Sequence, residues 1–321
     1  MTRYRNVGLF LFLAAVWGAA FMAIKAGLGT PSDPGGFFET PVLFAAIRYD
    51  VAGVLMLGYA VYATDHPVPR GRDEWATVVV GSVLIMAGYH ALLFIGETDP
   101  AVTSAAAAVI VSLSPVLTAG FARAFLPVER LTTFGLAGLL LGLVGVAILS
   151  DPDPNNLLTG GTVAKLLIFA AAICFALGSV LTRRIDADFP IETMEAWTML
   201  GGAVLMHIVS VGIGESVSDV TWTGETLLAV GYLSVVASAI GFLVYFVLLE
   251  RLGALEINLV SYVAPVFAAL TGWLFRGEIP TVYTVVGFIV IFVGFLLLKR
   301  ESLRRELPRL RRELKTFGTR E

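Results

Sequence analysis

Apolar runs of about twenty residues recur along this chain with only short polar links between them, far more than a soluble core could use. Each run is long enough to carry a helix across a bilayer, where backbone amides must find partners within their own segment. Ten spans are expected: Val7–Leu28, Pro41–Tyr62, Trp75–Ile95, Ala101–Phe125, Thr133–Leu149, Gly161–Leu181, Glu192–Val211, Thr226–Leu249, Ala254–Phe275 and Thr281–Leu298. Turn-forming links such as Pro31-Ser32-Asp33-Pro34-Gly35-Gly36 and Asp151-Pro152-Asp153-Pro154-Asn155-Asn156 punctuate them. The first run follows Arg3 and Arg5 as a cleaved leader would, but it is long enough to cross and no convincing cleavage site follows it. It is therefore kept as a span. With 57% hydrophobic and 15% charged residues, the fold class is an all-α integral membrane protein.

The spans repeat a pattern. Ser112-Leu113-Ser114-Pro115 is followed by Glu129, Gly138 and Gly145, and Pro265 by Glu278, Gly287 and Gly294. In both copies the first glycine stands nine residues after the glutamate and the second seven further on. Two five-helix repeats are expected, 1–150 and 151–298, followed by a tail over 299–321. Five is odd, so the second repeat is inverted relative to the first, an arrangement common in secondary transporters. Lys and Arg set the orientation. With the N-terminus inside, that side collects Arg70, Arg72, Arg123, Arg130, Arg183, Arg184, Arg251 and nine basic residues from Lys299 onward. Both termini are then cytoplasmic, with the chain in the cell (plasma) membrane. Leu303, Leu307, Leu310 and Leu314 give the tail an amphipathic face for the membrane surface.

Trp17-Gly18 with Lys25, Arg48-Tyr49, and the paired Pro115…Glu129 and Pro265…Gly277-Glu278 make residues 7–298 resemble the EamA-type transporters of the drug/metabolite transporter superfamily. The resemblance implies a secondary transporter that moves small metabolites by alternating access, without ATP hydrolysis. An amino-acid-like or other small organic solute is the expected cargo, and export the expected direction. The second repeat departs from the first: Thr198 falls where Arg48 would recur, and Cys174 or Phe175 where Trp17 would. An asymmetric cavity is expected.

Pro115 and Pro265 each remove a backbone donor, so both are expected to kink their helices and act as gating joints. Glu129 and Glu278 precede the fifth and tenth spans, where capping of a helix end outweighs proton carriage. Arg48 lies seven residues past Pro41, about 10 Å into the membrane at 1.5 Å per residue, where an ionised group must be paired or wetted. It either meets an anionic solute or forms a structural pair. Lys25, near the outer boundary, is expected to snorkel, and Glu195 to be interfacial. His90 beside Tyr89 either binds solute or packs neutral, and His207 lacks polar neighbours on its own span. Trp17, Tyr245, Asn258 and Tyr262 complete the candidate solute-binding set. The glycine series reads as close helix packing, and Gly138-x-x-x-Gly142 also offers a homodimer face.

The single Cys174 excludes a disulfide framework and a cysteine-based metal site, and no nucleotide loop, cofactor fingerprint or nucleic-acid motif occurs. No metal and no cofactor are expected; the partners are a small-molecule solute and the bilayer, with proton coupling left open. An intramembrane enzyme is the alternative, but no His-Glu-x-x-His, Gly-x-Ser-x-Gly or intramembrane aspartate pair occurs. A non-transporting receptor or scaffold would leave the repeat without a purpose.

Overall fold

The computed structural model describes residues 2–126, 133–150, 160–252, 257, 260–298 and 300, and these are overwhelmingly helical. The helices are α1 (Thr2–Leu28), α2 (Pro41–Ala63), α3 (Arg72–Glu97), α4 (Ser104–Phe125), α5 (Thr133–Ser150), α6 (Gly160–Ile185), α7 (Ile191–Gly212), α8 (Gly224–Gly231, Tyr232–Ile240 and Gly241–Leu252 in succession), α9 (Val260–Arg276) and α10 (Val282–Leu298). Among the described residues, seven stretches are long and apolar enough to cross a bilayer: Arg5–Leu28, α2, α3, α4, Gly161–Ile185, α7 and Gly224–Tyr245. Thr133–Leu149, α9 and Val282–Leu297 are apolar but shorter. A small antiparallel hairpin, β1 (Gly29–Thr30) with β2 (Asp33–Pro34), follows α1, and Gly29 enters it at φ +74°. Glu129, Asn258, the 151–156 link and the tail beyond residue 300 lie outside the described residues.

The outward-facing side chains are those a lipid would solvate. Val54, Ile208, Leu228, Leu274 and Ile289 are all exposed, a pattern costly in water and neutral in hydrocarbon. The core is built largely from alanine and medium-sized apolar residues, which let the helices approach closely.

The principal helix pairs are α5 with α10, α2 with α7, α1 with α9 and α3 with α6; α4 also packs on α6 and α9. Glycines set the closest approaches. A Cβ on Gly145 would stand 2.9 Å from the Gly287 carbonyl oxygen, and one on Gly287 would stand 2.7 Å from the Gly145 oxygen. A Cβ on Gly294 would likewise meet the backbone of Gly138 and Gly142. These contacts correct the dimer expectation at Gly138-x-x-x-Gly142: α10 of the same chain packs on that backbone.

Two helices widen and one breaks. Gly81–Gly88 in α3 and Tyr232–Ile240 in α8 are π-turns, whose i→i+5 pattern disturbs the regular backbone ladder. In α4 the helix is interrupted at Ser112-Leu113, directly before Pro115. Proline cannot donate to the Val111 carbonyl, so the Ser114 hydroxyl takes it at 2.7 Å, while Ser112 Oγ donates to Val109 at 2.7 Å. α9 runs through Pro265 as one continuous helix. The two prolines thus sit in unlike settings, and only Pro115 adjoins an interruption.

Candidate functional site

Arg48 is buried, with 6% exposure, on the face of α2 that meets α8. Its Nε donates to Ser238 Oγ at 3.1 Å, and the guanidinium lies 4.9 Å from the centre of the Tyr49 ring. Among the described residues no carboxylate lies within ion-pair distance of it. An intramembrane guanidinium costs about 2.5–3.5 kcal/mol on insertion scales unless compensated, and one serine hydroxyl uses one of its five N–H donors.

Tyr49 and His90 support this group. The Tyr49 hydroxyl and His90 Nε2 are 2.6 Å apart, and His90 Nδ1 is 2.9 Å from the Met86 carbonyl oxygen. A carbonyl only accepts, so in the neutral ring Nδ1 carries the proton and Nε2 accepts from Tyr49. Both nitrogens of His90 are therefore committed within the protein. Tyr89 lies against His90 at 4.5 Å between ring centres and against Phe175 of α6 at 5.4 Å.

Trp17 on α1 donates Nε1 to the Ala237 carbonyl at 3.1 Å and packs on Tyr245 of α8 at 5.6 Å. The Trp17 and Arg48 contacts thus land on neighbouring residues, Ala237 and Ser238, of one π-turn. The α3 π-turn offers Met86 to His90 in a similar way. Each widened turn presents a carbonyl to a ring N–H of the candidate set. Tyr262 stands apart from this group: its ring packs on Phe292 and Phe295 of α10, and its buried hydroxyl has no partner among the described residues.

A charged cluster closes the end of the bundle where α1, α3 and α9 finish and α4 begins. Lys25 Nζ donates to the carbonyls of Val102 and Asp99, the latter at 3.2 Å. Its ammonium is buried, which corrects the expected snorkelling: folded loop carbonyls, rather than water, receive it. Glu278 does cap a helix, but the helix is α4. Its Oε2 accepts from Ser104 N at 2.7 Å, and Oε1 is 3.6 Å from Arg276 Nε. α10 is instead capped by Thr281, whose Oγ1 accepts from Thr284 N at 3.1 Å. Glu97 is fully buried within electrostatic reach of Lys25, Arg48, Arg276 and Glu278, yet neither oxygen has a hydrogen-bond partner among the described residues.

Three features escaped the sequence. Asp50, on the opposite side of α2 from Arg48, lies 2.7 Å from His207 Nε2 on α7 and supplies the polar neighbour His207 lacked. Glu195, four residues into α7, has a buried Oε2 without a partner among the described residues. Both oxygens of Glu215 cap the start of α2, accepting from Val42 N at 3.0 Å and Leu43 N at 2.7 Å. A cavity of about 500 Å³ beside this cap, lined by Glu39, Pro41, Ile95, Gly214 and Asp219, lies among loop and helix-end residues, and Arg48 does not line it.

The chain was compared with known proteins. The model of the EamA-like transporter family matches residues 6–151 and again residues 162–300. The uncharacterized transporter YvbV of Bacillus subtilis is 26% identical over 94% of this chain and 94% of its own. YdfC of the same organism, another uncharacterized transporter, is 28% identical over 88% of this chain and 87% of its own. A probable terminal-alkyne amino-acid exporter of Streptantibioticus cattleyicolor is 26% identical over 98% of this chain and 99% of its own. A protein crystal structure shares the fold with a TM-score of 0.63 and 22% identity, covering 94% of this chain and 99% of the solved one. The two consecutive family matches span nearly the whole sequence, and the chain belongs to the EamA-like transporter family of multi-pass membrane proteins.

Proposed function

We propose that this chain is a secondary transporter of ten spans in two inverted five-helix repeats, which exports a small zwitterionic, amino-acid-like solute by alternating access. Residues 1–150 and 151–298 form the repeats, both termini lie in the cytoplasm, and the host bilayer is the plasma membrane. The double family match supports this reading, as does the reciprocal helix pairing: α1 packs on α9 as α6 does on α4, and α3 on α6 as α8 does on α1. Pro115, beside the break in α4, serves as a joint, and Pro265 is its less yielding counterpart.

The observation that carries the solute class is a separation of charge. Arg48 and Glu97 are both buried and lie within electrostatic range of each other, Lys25 being the stronger influence on Glu97, but neither forms an ion pair among the described residues. A guanidinium with spare N–H donors receives a carboxylate, and a carboxylate without hydrogen bonds receives an ammonium. Trp17, Tyr89 and Tyr245 supply aromatic walls around the Arg48 end. The name of the Streptantibioticus relative points to amino-acid cargo for that protein and agrees in kind.

Counterflow into proteoliposomes, with neutral amino acids, monocarboxylates and primary amines as separate cargos, tests this. Zwitterions should exchange at least about tenfold faster than either single-charge class, the discrimination expected when one buried charge of the site goes unpaired. Equal rates for all three classes would sink the zwitterion assignment, and binding without flux under any gradient would sink the transporter reading.

A further inference from the structure

Among the described residues, Asp50 and His207 form the most exposed polar contact between helices at depth. Their side chains are 46% and 40% exposed, yet they join 2.7 Å apart on two apolar helices. Asp50 stands nine residues after Pro41, about 14 Å along α2 at 1.5 Å per residue, and His207 about 8 Å before the end of α7. At such depths hydrocarbon offers no hydrogen bonds, and an ionisable side chain facing it is costly. The pair also leaves groups over: among the described residues, Asp50 Oδ1 and His207 Nδ1 have no partner. The surroundings are flat and small. Val54, Gly58, Val204 and Ile208 are exposed beside the pair, and a Cβ on Gly58 would meet nothing within 4 Å.

We infer that this α2–α7 face binds a second copy of the chain about a two-fold axis. In an isologous contact every group meets its own counterpart's neighbour. With His207 as the imidazolium, each copy's spare Nδ1–H donates to the other's spare Asp50 Oδ1, so two half-satisfied pairs become one closed ring of four groups. The charges match by construction, since each copy brings one acid and one base. Small and β-branched residues around the ring let the helices approach as membrane interfaces require. A lipid headgroup does not reach this depth, and an unrelated protein would need its own complementary acid and base. The Gly138–Gly142 backbone is occupied by α10, which leaves α2–α7, among the described residues, as the exposed face with unmet polar groups.

Disulfide trapping in native membranes tests the inference, because Cys174 is the only cysteine. In a Cys174→Ser background, Val54→Cys should give an oxidised dimer, while Ile289→Cys on the lipid-facing side of α10 should stay monomeric. Adding Asp50→Asn and His207→Gln to Val54→Cys should lower the dimer yield about tenfold, equivalent to about 1.4 kcal/mol. Equal yields at positions 54 and 289, or trapping of Val54→Cys to a protein of different mass, would overturn the second-copy assignment. An undiminished yield in the Asn/Gln variant would overturn the role of the polar pair. Co-isolation of two differently tagged copies from mixed expression reads the same association without any substitution, and its absence counts against it.

Discussion

α2 meets α8 much as α7 meets α3, and the two meetings differ by one charge. In the first, Arg48 Nε donates to Ser238 Oγ at 3.1 Å; in the second, Ser82 Oγ donates to the Thr198 carbonyl at 3.2 Å. Each joins a helix to a π-turn through a serine. The neutral version holds its helices together without a cation, so the scaffold does not require one. A buried charge retained where packing alone suffices points to binding rather than to folding.

Substitution of the two central residues should give the largest contrast. Arg48→Ala should lower zwitterion counterflow about a hundredfold, the upper range for losing hydrogen bonds to a charged group. Thr198→Val removes a hydroxyl that is buried without a partner among the described residues, and flux should change by less than about threefold. Comparable losses for both would mean that the crossing positions are equivalent structural pins. If flux survived Arg48→Ala, the charge would belong to the fold instead.

The serines should differ less. Ser238→Ala deprives a charged donor of its acceptor and should cost about tenfold in flux. Ser82→Ala removes a bond between neutral groups, worth about 0.5–1.5 kcal/mol, and should register in thermal unfolding in detergent while flux holds. Tyr49→Phe sits between them: it strands His90 Nε2 in a buried site, for about 1–3 kcal/mol of stability. A Tyr49→Phe protein as stable as the parent would mean that water replaces the hydroxyl.

The sequence exposed what depends on period and composition. The apolar runs marked the helices, the lone cation in α2 marked Arg48, and the matched glycines marked close helix packing without naming α5 and α10 as partners. What it hid depends on partners far along the chain. Glu278 was legible as a cap, but its helix begins 174 residues away at Ser104, across a fold no local pattern reveals. The partner of His90 is likewise remote in sequence, since Tyr49, 41 residues earlier, holds its second nitrogen. His207 read as a histidine without a polar neighbour, and only the packing of α2 on α7 brings Asp50 to it. The π-turns left one trace that could have been followed: Gly81 and Gly231 are 150 residues apart, the same interval as Pro115 and Pro265. A widened turn changes the backbone by one residue and leaves the composition untouched, so that trace is faint.

The α5–α10 contact is the control on this comparison, because there the two halves are alike. A Cβ on Gly145 would stand 2.7 Å from Ile291 Cγ1 and 2.9 Å from the Gly287 oxygen. One on Gly287 would stand 2.8 Å from Leu149 Cβ and 2.7 Å from the Gly145 oxygen. Both meet backbone, which cannot move aside as a flexible side-chain end does. Gly145→Ala and Gly287→Ala should therefore each cost about 1–3 kcal/mol, the usual penalty for overpacking, and agree within about 0.5 kcal/mol. The double variant should cost less than the sum, since the first methyl already pushes the helices apart for the second. Unequal single effects, with full additivity, would show that the helices are held by their other contacts and that the reciprocal glycines are incidental.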